Sequence, residues 1–139
     1  ENVMVTGRGQ VKVMDFGLAK KHDATTLTAT GAIFGTPAYI PPEQAKSETV
    51  AETGDQYSFG VMAFQLLTGR LPFDSEEPLN MILKHVQESP PSVRELRPEI
   101  PEDLSSAVLR MLSKDPVDRF TSMGEVRELL ADALDQCSR

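Results

Sequence analysis

The hydrophobic positions follow one period at the start of the chain, none for a long stretch, and another for the rest. Val3 to Val5 and Val11 to Met14 are short β-branched and apolar runs, separated by Thr6-Gly7-Arg8-Gly9-Gln10. This arrangement predicts a β-hairpin with a glycine-bearing turn, whose two open ends lie side by side. From Asp15 to about Pro42 the pattern is lost in a polar segment rich in Thr, Ala and Gly. Loops of that length inside a compact domain are usually functional or disordered. The chain then becomes helical. Gln56 to Thr68 holds Tyr57, Phe59, Val61, Met62, Phe64, Leu66 and Leu67 without a charge. Apolar residues therefore cover nearly all its sides, which predicts a helix in the middle of the core, ended by Gly69 in a left-handed cap. Leu79, Ile82, Leu83 and Val86 recur at i, i+3, i+4 and i+7, and Leu104, Ala107, Val108, Met111 and Leu112 repeat the pattern with one position more. Both predict amphipathic surface helices. Pro90, Pro91, Pro98 and Pro101 predict an extended connection between them. A last helix presents Val126, Leu129, Leu130, Ala133 and Leu134 on one face, with Ser122 and Glu125 as a capping box at its start. The fold class is mainly α with a small β-hairpin.

Composition adds limits on partners. The 139 residues are 40% hydrophobic and 25% charged, a composition and length that suit one globular domain. The net charge of -7 argues against a nucleic-acid backbone or an anionic membrane as main partner and is compatible with a substrate carrying basic residues. Cys137 is the single cysteine, so neither an internal disulfide nor a cysteine metal cluster can be built, and a reducing cytoplasm fits best. The longest uncharged stretch, Gln56 to Gly69, is too short to span a bilayer, and the first residues lack the regions of a signal peptide. Any membrane anchor is expected outside this stretch of chain.

Candidate chemistry gathers at the open end of the hairpin. Asn2 and Asp15 stand at the ends of neighbouring strands, whose backbones run about 4.7 to 4.9 Å apart. Their oxygens could share one hard divalent cation, since magnesium is held through one or two carboxylates supplemented by carbonyl oxygens, waters and substrate phosphates. Local roles are the alternative: Asn2 as a strand cap and Asp15 as the start of a turn before Gly17.

Longer motifs decide between these readings. Asp15-Phe16-Gly17 follows an apolar strand, and Gly35-Thr36-Pro37-Ala38-Tyr39-Ile40-Pro41-Pro42-Glu43 closes the long loop. Asp55-Gln56-Tyr57-Ser58-Phe59-Gly60-Val61 opens the buried helix, Leu67-Thr68-Gly69-Arg70-Leu71-Pro72-Phe73 ends it, and Asp115-Pro116-Val117-Asp118-Arg119 precedes the last helix. In order and spacing, over essentially the whole chain, this resembles the eukaryotic-type protein kinase family, serine/threonine type, and Pro42-Glu43-Gln44-Ala45 is most similar to its bacterial members.

The resemblance implies the C-terminal lobe of a protein kinase-like fold, α+β in the intact domain. Residues 1–139 would run from the end of the catalytic loop to the last helix, with residues 15–43 as the activation segment. It implies an enzyme that transfers the γ-phosphoryl of ATP to Ser or Thr of proteins. Asp15 would chelate the magnesium bridging the ATP phosphates, and Asn2, preceded by Glu1, would hold the second ion. The general base, the glycine-rich loop, the ATP-pairing lysine and its glutamate partner would lie before Glu1, so the chain alone is expected to be inactive. Thr36 would line the floor on which the residue after the phospho-acceptor packs, its other reading being a turn residue before Pro37. Glu43 would pair with Arg119, with Pro41 in place of the family's usual alanine. Asp55 would be a buried acceptor of catalytic-loop amides, and as helix N-cap it is equally well placed. Thr28 and Thr30 fall where bacterial members carry activating threonines, ahead of Thr25 and Thr26, with Lys20 or Lys21 contributing to a phosphate-binding cluster. His22 and His85 stand in polar or helical surface contexts and offer no base. A pseudokinase that binds or scaffolds without catalysis is the alternative function, which retained Asp15, Asn2 and Thr36 disfavour.

Overall fold

The computed structural model describes residues 3–13 and 37–137, which belong to two units, Glu1–Gly35 and Thr36–Arg139. In the first, valines that favour a pleated surface form β1 (Val3–Val5) and β2 (Val11–Val13), paired antiparallel with Val3 opposite Val13 and Val5 opposite Val11. The Thr6 N–H donates to the Gln10 carbonyl at 2.8 Å and the Gly9 N–H to the Thr6 carbonyl at 2.9 Å, while the Gln10 N–H reaches Thr6 Oγ1 at 3.1 Å. Gly9 sits at φ 77°, a left-handed backbone that glycine adopts without a Cβ clash. Because Val3 faces Val13, the chain enters and leaves the hairpin at the same end. Met14, expected to extend the second strand, lies outside the described residues.

The second unit opens with a 3-10 turn, Pro37–Tyr39, followed by the short helix α1 (Pro42–Ala45), whose proline suits a first helical position that needs no N–H. Then come α2 (Glu52–Thr68), α3 (Pro78–Gln87), α4 (Val93–Leu96), α5 (Glu102–Met111), a 3-10 turn (Pro116–Asp118) and α6 (Met123–Cys137). The chain is thus mainly helical with one two-stranded hairpin. Helix α2 is the central one. Its Tyr57, Val61 and Phe64 are fully buried against Val93 of α4, Ala107, Val108 and Met111 of α5, Leu112, Phe120, and Val126 of α6. At Gly60 a Cβ would come within 2.8 Å of Met111 Cβ, so the approach of α2 to α5 requires glycine. Gly69 at φ 75° ends α2, its N–H donating to the Gln65 carbonyl at 2.8 Å.

Four expectations are corrected. Helix α2 starts a turn earlier than Gln56, with Ala51 as N-cap, so Asp55 is not the cap; it joins Glu52 in the first turn, where carboxylates oppose the positive helix end. The proline-rich connection is not extended throughout. Ser92 and Glu95 form a reciprocal capping box that nucleates α4 in the room between Pro91 and Pro98. Helix α3 is turned so that Met81, Ile82 and His85 are buried, while Leu79 and Leu83 are 52% and 44% exposed. At the start of α6 only half of the expected box forms: Ser122 Oγ accepts from the Glu125 N–H at 3.3 Å, but the Glu125 carboxylate takes the Thr121 hydroxyl.

Candidate functional site

Glu43 and Arg119 lie 76 residues apart in the sequence and meet in the interior, 3% and 2% exposed. Arg119 Nη1 donates to Glu43 Oε1 and Nη2 to Glu43 Oε2, each at 2.8 Å, a bidentate fork. The rest of the guanidinium is also engaged: Nε with the Ser113 carbonyl at 2.9 Å, Nη1 with Thr53 at 2.7 Å and Nη2 with Lys114 at 3.3 Å. Every one of the five donors that an arginine carries thus has an acceptor. The Tyr57 ring lies 5.0 Å below the guanidinium carbon, adding a cation–π contact. A buried charge pair is tolerable only when both partners are hydrogen-bonded in this way. The pair joins α1 to the segment ahead of α6. Alongside it, the buried Gln56 side chain accepts the Phe120 N–H at 2.8 Å and donates to the Phe120 carbonyl at 3.0 Å, tying the same segment to α2.

The turn Pro37–Tyr39 is held by α2 from one side. Ser58 Oγ donates to the Tyr39 carbonyl at 2.8 Å and the Tyr39 hydroxyl donates to Gln65 Oε1 at 2.5 Å. From the other side Ala38 packs with Phe73 and with Met81 of α3. Behind them is His85, fully buried, contrary to the surface position that its helical context suggests. Its Nδ1 shares a hydrogen bond with the Tyr57 hydroxyl at 2.9 Å, and its ring meets Phe73 edge-on at 5.0 Å. Lys114 Nζ donates to the His85 carbonyl at 2.8 Å and sits 4.4 Å from the Phe73 ring centre. Burial of Lys114 pushes its amine down to about 8.

Burial, and next the charge of Lys114, pull His85 down to about 4 from its usual 6.5, opposed in part by the Ala38 backbone. Between those values the unfolded chain binds a proton that the folded chain refuses. The contribution of His85 to stability is therefore fully present above about pH 6.5 and lost as pH falls towards about 4, reaching about 2 kcal/mol of loss by pH 5. Urea unfolding of the intact domain should show a smaller decline between pH 7 and pH 5 in His85→Phe than in the native protein. Identical declines would show that His85 is not the titrating group.

Of the site residues expected from the sequence, Asn2, Asp15, Thr28, Thr30 and Thr36 lie outside the described residues. Glu43 and Arg119 are brought together. Asp55, expected to be buried, is exposed in the first turn of α2, and the loop whose amides it would accept is not among the described residues. Sequence reasoning missed Gln56, Ser58 and His85. Gln56 had a signal, a polar side chain opening an uncharged, largely apolar run. Among the described residues no group of three or more His, Cys, Asp or Glu could hold a metal ion, and no helix is long and apolar enough to cross a membrane.

Comparison with known proteins gives this geometry its context. Residues 1–133 match the protein kinase domain family. The chain is 42% identical over 95% of its length to the probable serine/threonine-protein kinase PknB of Lactococcus lactis, covering 21% of that protein. It is 34% identical over 96% of its length to serine/threonine-protein kinase PrkC of Bacillus subtilis, again 21% of the relative. With serine/threonine-protein kinase PksC of Streptomyces coelicolor it shares 46% identity over 91% of its length and 23% of the relative. The chain thus spans about a fifth of the length of these relatives. The ordered motifs, the helical unit around α2, the buried Glu43–Arg119 fork and the match over residues 1–133 agree: the chain belongs to the protein kinase domain family.

Proposed function

We propose that the intact protein is an ATP- and magnesium-dependent kinase that transfers the γ-phosphoryl of ATP to Ser or Thr of proteins. The observation that carries this reading is the Glu43–Arg119 fork, which fastens the end of the segment 15–43 to the helical unit. A segment that is ordered by phosphorylation needs a fixed end from which it is positioned, and the fork supplies one. Transfer of this kind also needs a catalytic base and an ATP-pairing lysine.

Asp15 and Asn2 would hold magnesium at the open end of the hairpin. One carboxylate and one amide oxygen, completed by waters and phosphate oxygens, suit a hard octahedral cation. The ion supplies charge neutralisation at the phosphates. Thr36 lines the floor for the residue after the acceptor, immediately before the turn that Ser58 and Gln65 hold. The carboxylate of Asp55, free of a capping role, serves as an acceptor for catalytic-loop amides. A cytoplasmic position follows from the need for ATP.

Thr28 and Thr30 are the regulatory acceptors in this reading. A phosphate adds about -1.5 to -2 charges and acceptor oxygens that basic side chains can grip, which orders a polar segment. The test incubates the intact protein with ATP, magnesium and a mixed Ser/Thr peptide library, and maps phosphate by mass spectrometry on peptide and protein. Phosphopeptides are expected, with self-phosphorylation at Thr28 or Thr30, and the Thr28→Ala, Thr30→Ala double variant should lose at least about tenfold in turnover. Absence of transfer would leave a binding or scaffolding module, and full activity in the double variant would remove this mode of activation.

A further inference from the structure

The helix α3 hides a polar residue where an apolar one would fill the same space. His85 is 0% exposed, and its Nε2 meets no hydrogen-bond partner of ordinary geometry among the described residues. An unpaired buried donor or acceptor is a cost that leucine or phenylalanine would avoid. The compensation lies in what the ring joins. Its Nδ1 is bonded to the Tyr57 hydroxyl of α2 at 2.9 Å, and its edge meets Phe73, which packs on Ala38 of the Pro37–Tyr39 turn, at 5.0 Å. Ala38 packs in turn on Phe73 and on Met81, one helical turn before His85. One side chain thereby links α2, α3 and the turn.

On its other side the turn is held to α2, by Ser58 and Gln65 on Tyr39. Over α3, Ala38 rests on Phe73 and Met81, and Phe73 rests in turn on the imidazole. Thr36 stands two residues before Ala38. We propose that His85 is a positioning residue for the protein substrate: with Tyr57 it sets the Pro37–Tyr39 turn against α3, and so determines how the residue following the phospho-acceptor is seated. The proposal rests on the kinase reading above and on the place of Thr36 in it. In this assignment His85 contacts neither nucleotide nor acceptor and acts through Phe73 and Ala38. Its effect therefore belongs to peptide recognition and not to ATP.

The experiment measures steady-state kinetics of the intact kinase, well below each protein's melting temperature, for the native form, His85→Phe and Tyr57→Phe. The peptide used is the best acceptor from the library, varied one position at a time. In His85→Phe the KM for peptide should rise about tenfold while the KM for ATP stays within about twofold, a split that general loosening of the fold does not produce. Tyr57→Phe removes one hydroxyl and keeps the ring packing, and should raise the peptide KM about threefold. Preference should change at the position after the acceptor and stay as it was elsewhere. Should His85→Phe not fold, the Tyr57→Phe values decide alone. Unchanged peptide KM in the folded variants, equal rises for peptide and ATP, or a preference change spread over all positions would overturn the inference while leaving the kinase reading intact. Absence of transfer by the native protein would instead remove that reading, and the inference with it.

Discussion

Replacing Arg119 by alanine should destabilise the helical unit by about 3 to 5 kcal/mol, because the change strands a buried carboxylate. Glu43, 3% exposed, has both its oxygens satisfied by Arg119. Without the guanidinium they face the interior with no cation, and the carbonyls of Thr53, Ser113 and Lys114 lose a donor each. Domains hold together by roughly 5 to 15 kcal/mol, so the loss is a large part of the whole. In a melting experiment on the intact domain it corresponds to a fall on the order of 10 °C. Arg127 on α6 is exposed, and Arg127→Ala should move stability by less than about 0.5 kcal/mol. Arg119→Lys keeps the charge but cannot reproduce a fork with five donors, so it should lie nearer to alanine than to arginine. A double change, Arg119→Met with Glu43→Leu, should recover much of the loss, since neither charge then remains buried. Equally small shifts for Arg119→Ala and Arg127→Ala would show that the fork contributes little.

The contrast between Arg119 and His85 shows where the sequence is legible. Helix α5 follows from Leu104, Ala107, Val108 and Met111 because these apolar residues recur at an unbroken helical period, with Ser105 the one polar residue buried beside them. The hairpin follows because Gly7 and Gly9 interrupt valine runs whose spacing leaves no other turn. Helix α3 misleads for the opposite reason. Its leucines at 79 and 83 form a regular stripe that solvent reaches, whereas the face that packs contains a histidine that a hydrophobic pattern counts as polar. The start of α2 is obscured likewise, since Glu52, Thr53 and Gly54 carry no helical hydrophobic signal and are helical because Tyr57 onward is held in the core. Contacts between distant segments leave no local trace at all. Arg119 and Glu43 can be paired from sequence only through the resemblance to kinases, and the bonds from Gln56 to the Phe120 backbone are a detail no motif encodes. The metal site proposed at Asn2 and Asp15 likewise rests on resemblance, together with a hairpin register that sets Val3 opposite Val13.

Asp15→Ala in the intact kinase should lower turnover by about three orders of magnitude while leaving the melting temperature nearly unchanged, the reverse of Arg119→Ala. The reason is the different task of each charge. Arg119 is enclosed and its partners depend on it, whereas Asp15 comes two residues after β2 in the sequence and is proposed to face a cation. Phosphoryl transfer leaves the protein little covalent chemistry; positioning and neutralisation of the phosphate charge supply nearly all of the acceleration. Loss of a single preorganised electrostatic contact in a water-excluded site typically costs about 10² to 10³ in kcat. A metal ligand should stand at or above the upper end, since losing it would weaken the hold on the ion and with it the neutralisation of phosphate charge. Asp15→Asn separates charge from shape: it preserves volume and one oxygen and should remain at least about a hundredfold impaired. Asn2→Ala should cost less than Asp15→Ala, because an amide oxygen brings a dipole where the carboxylate brings a full charge. Raising the magnesium concentration should restore part of the activity of Asn2→Ala and little of Asp15→Ala. The measurements are single-turnover transfer to the best peptide across a magnesium titration, with thermal unfolding of each variant alongside. Near-normal turnover in Asp15→Ala would remove its assignment as the metal ligand, and a melting temperature lowered as far as in Arg119→Ala would make it a structural residue.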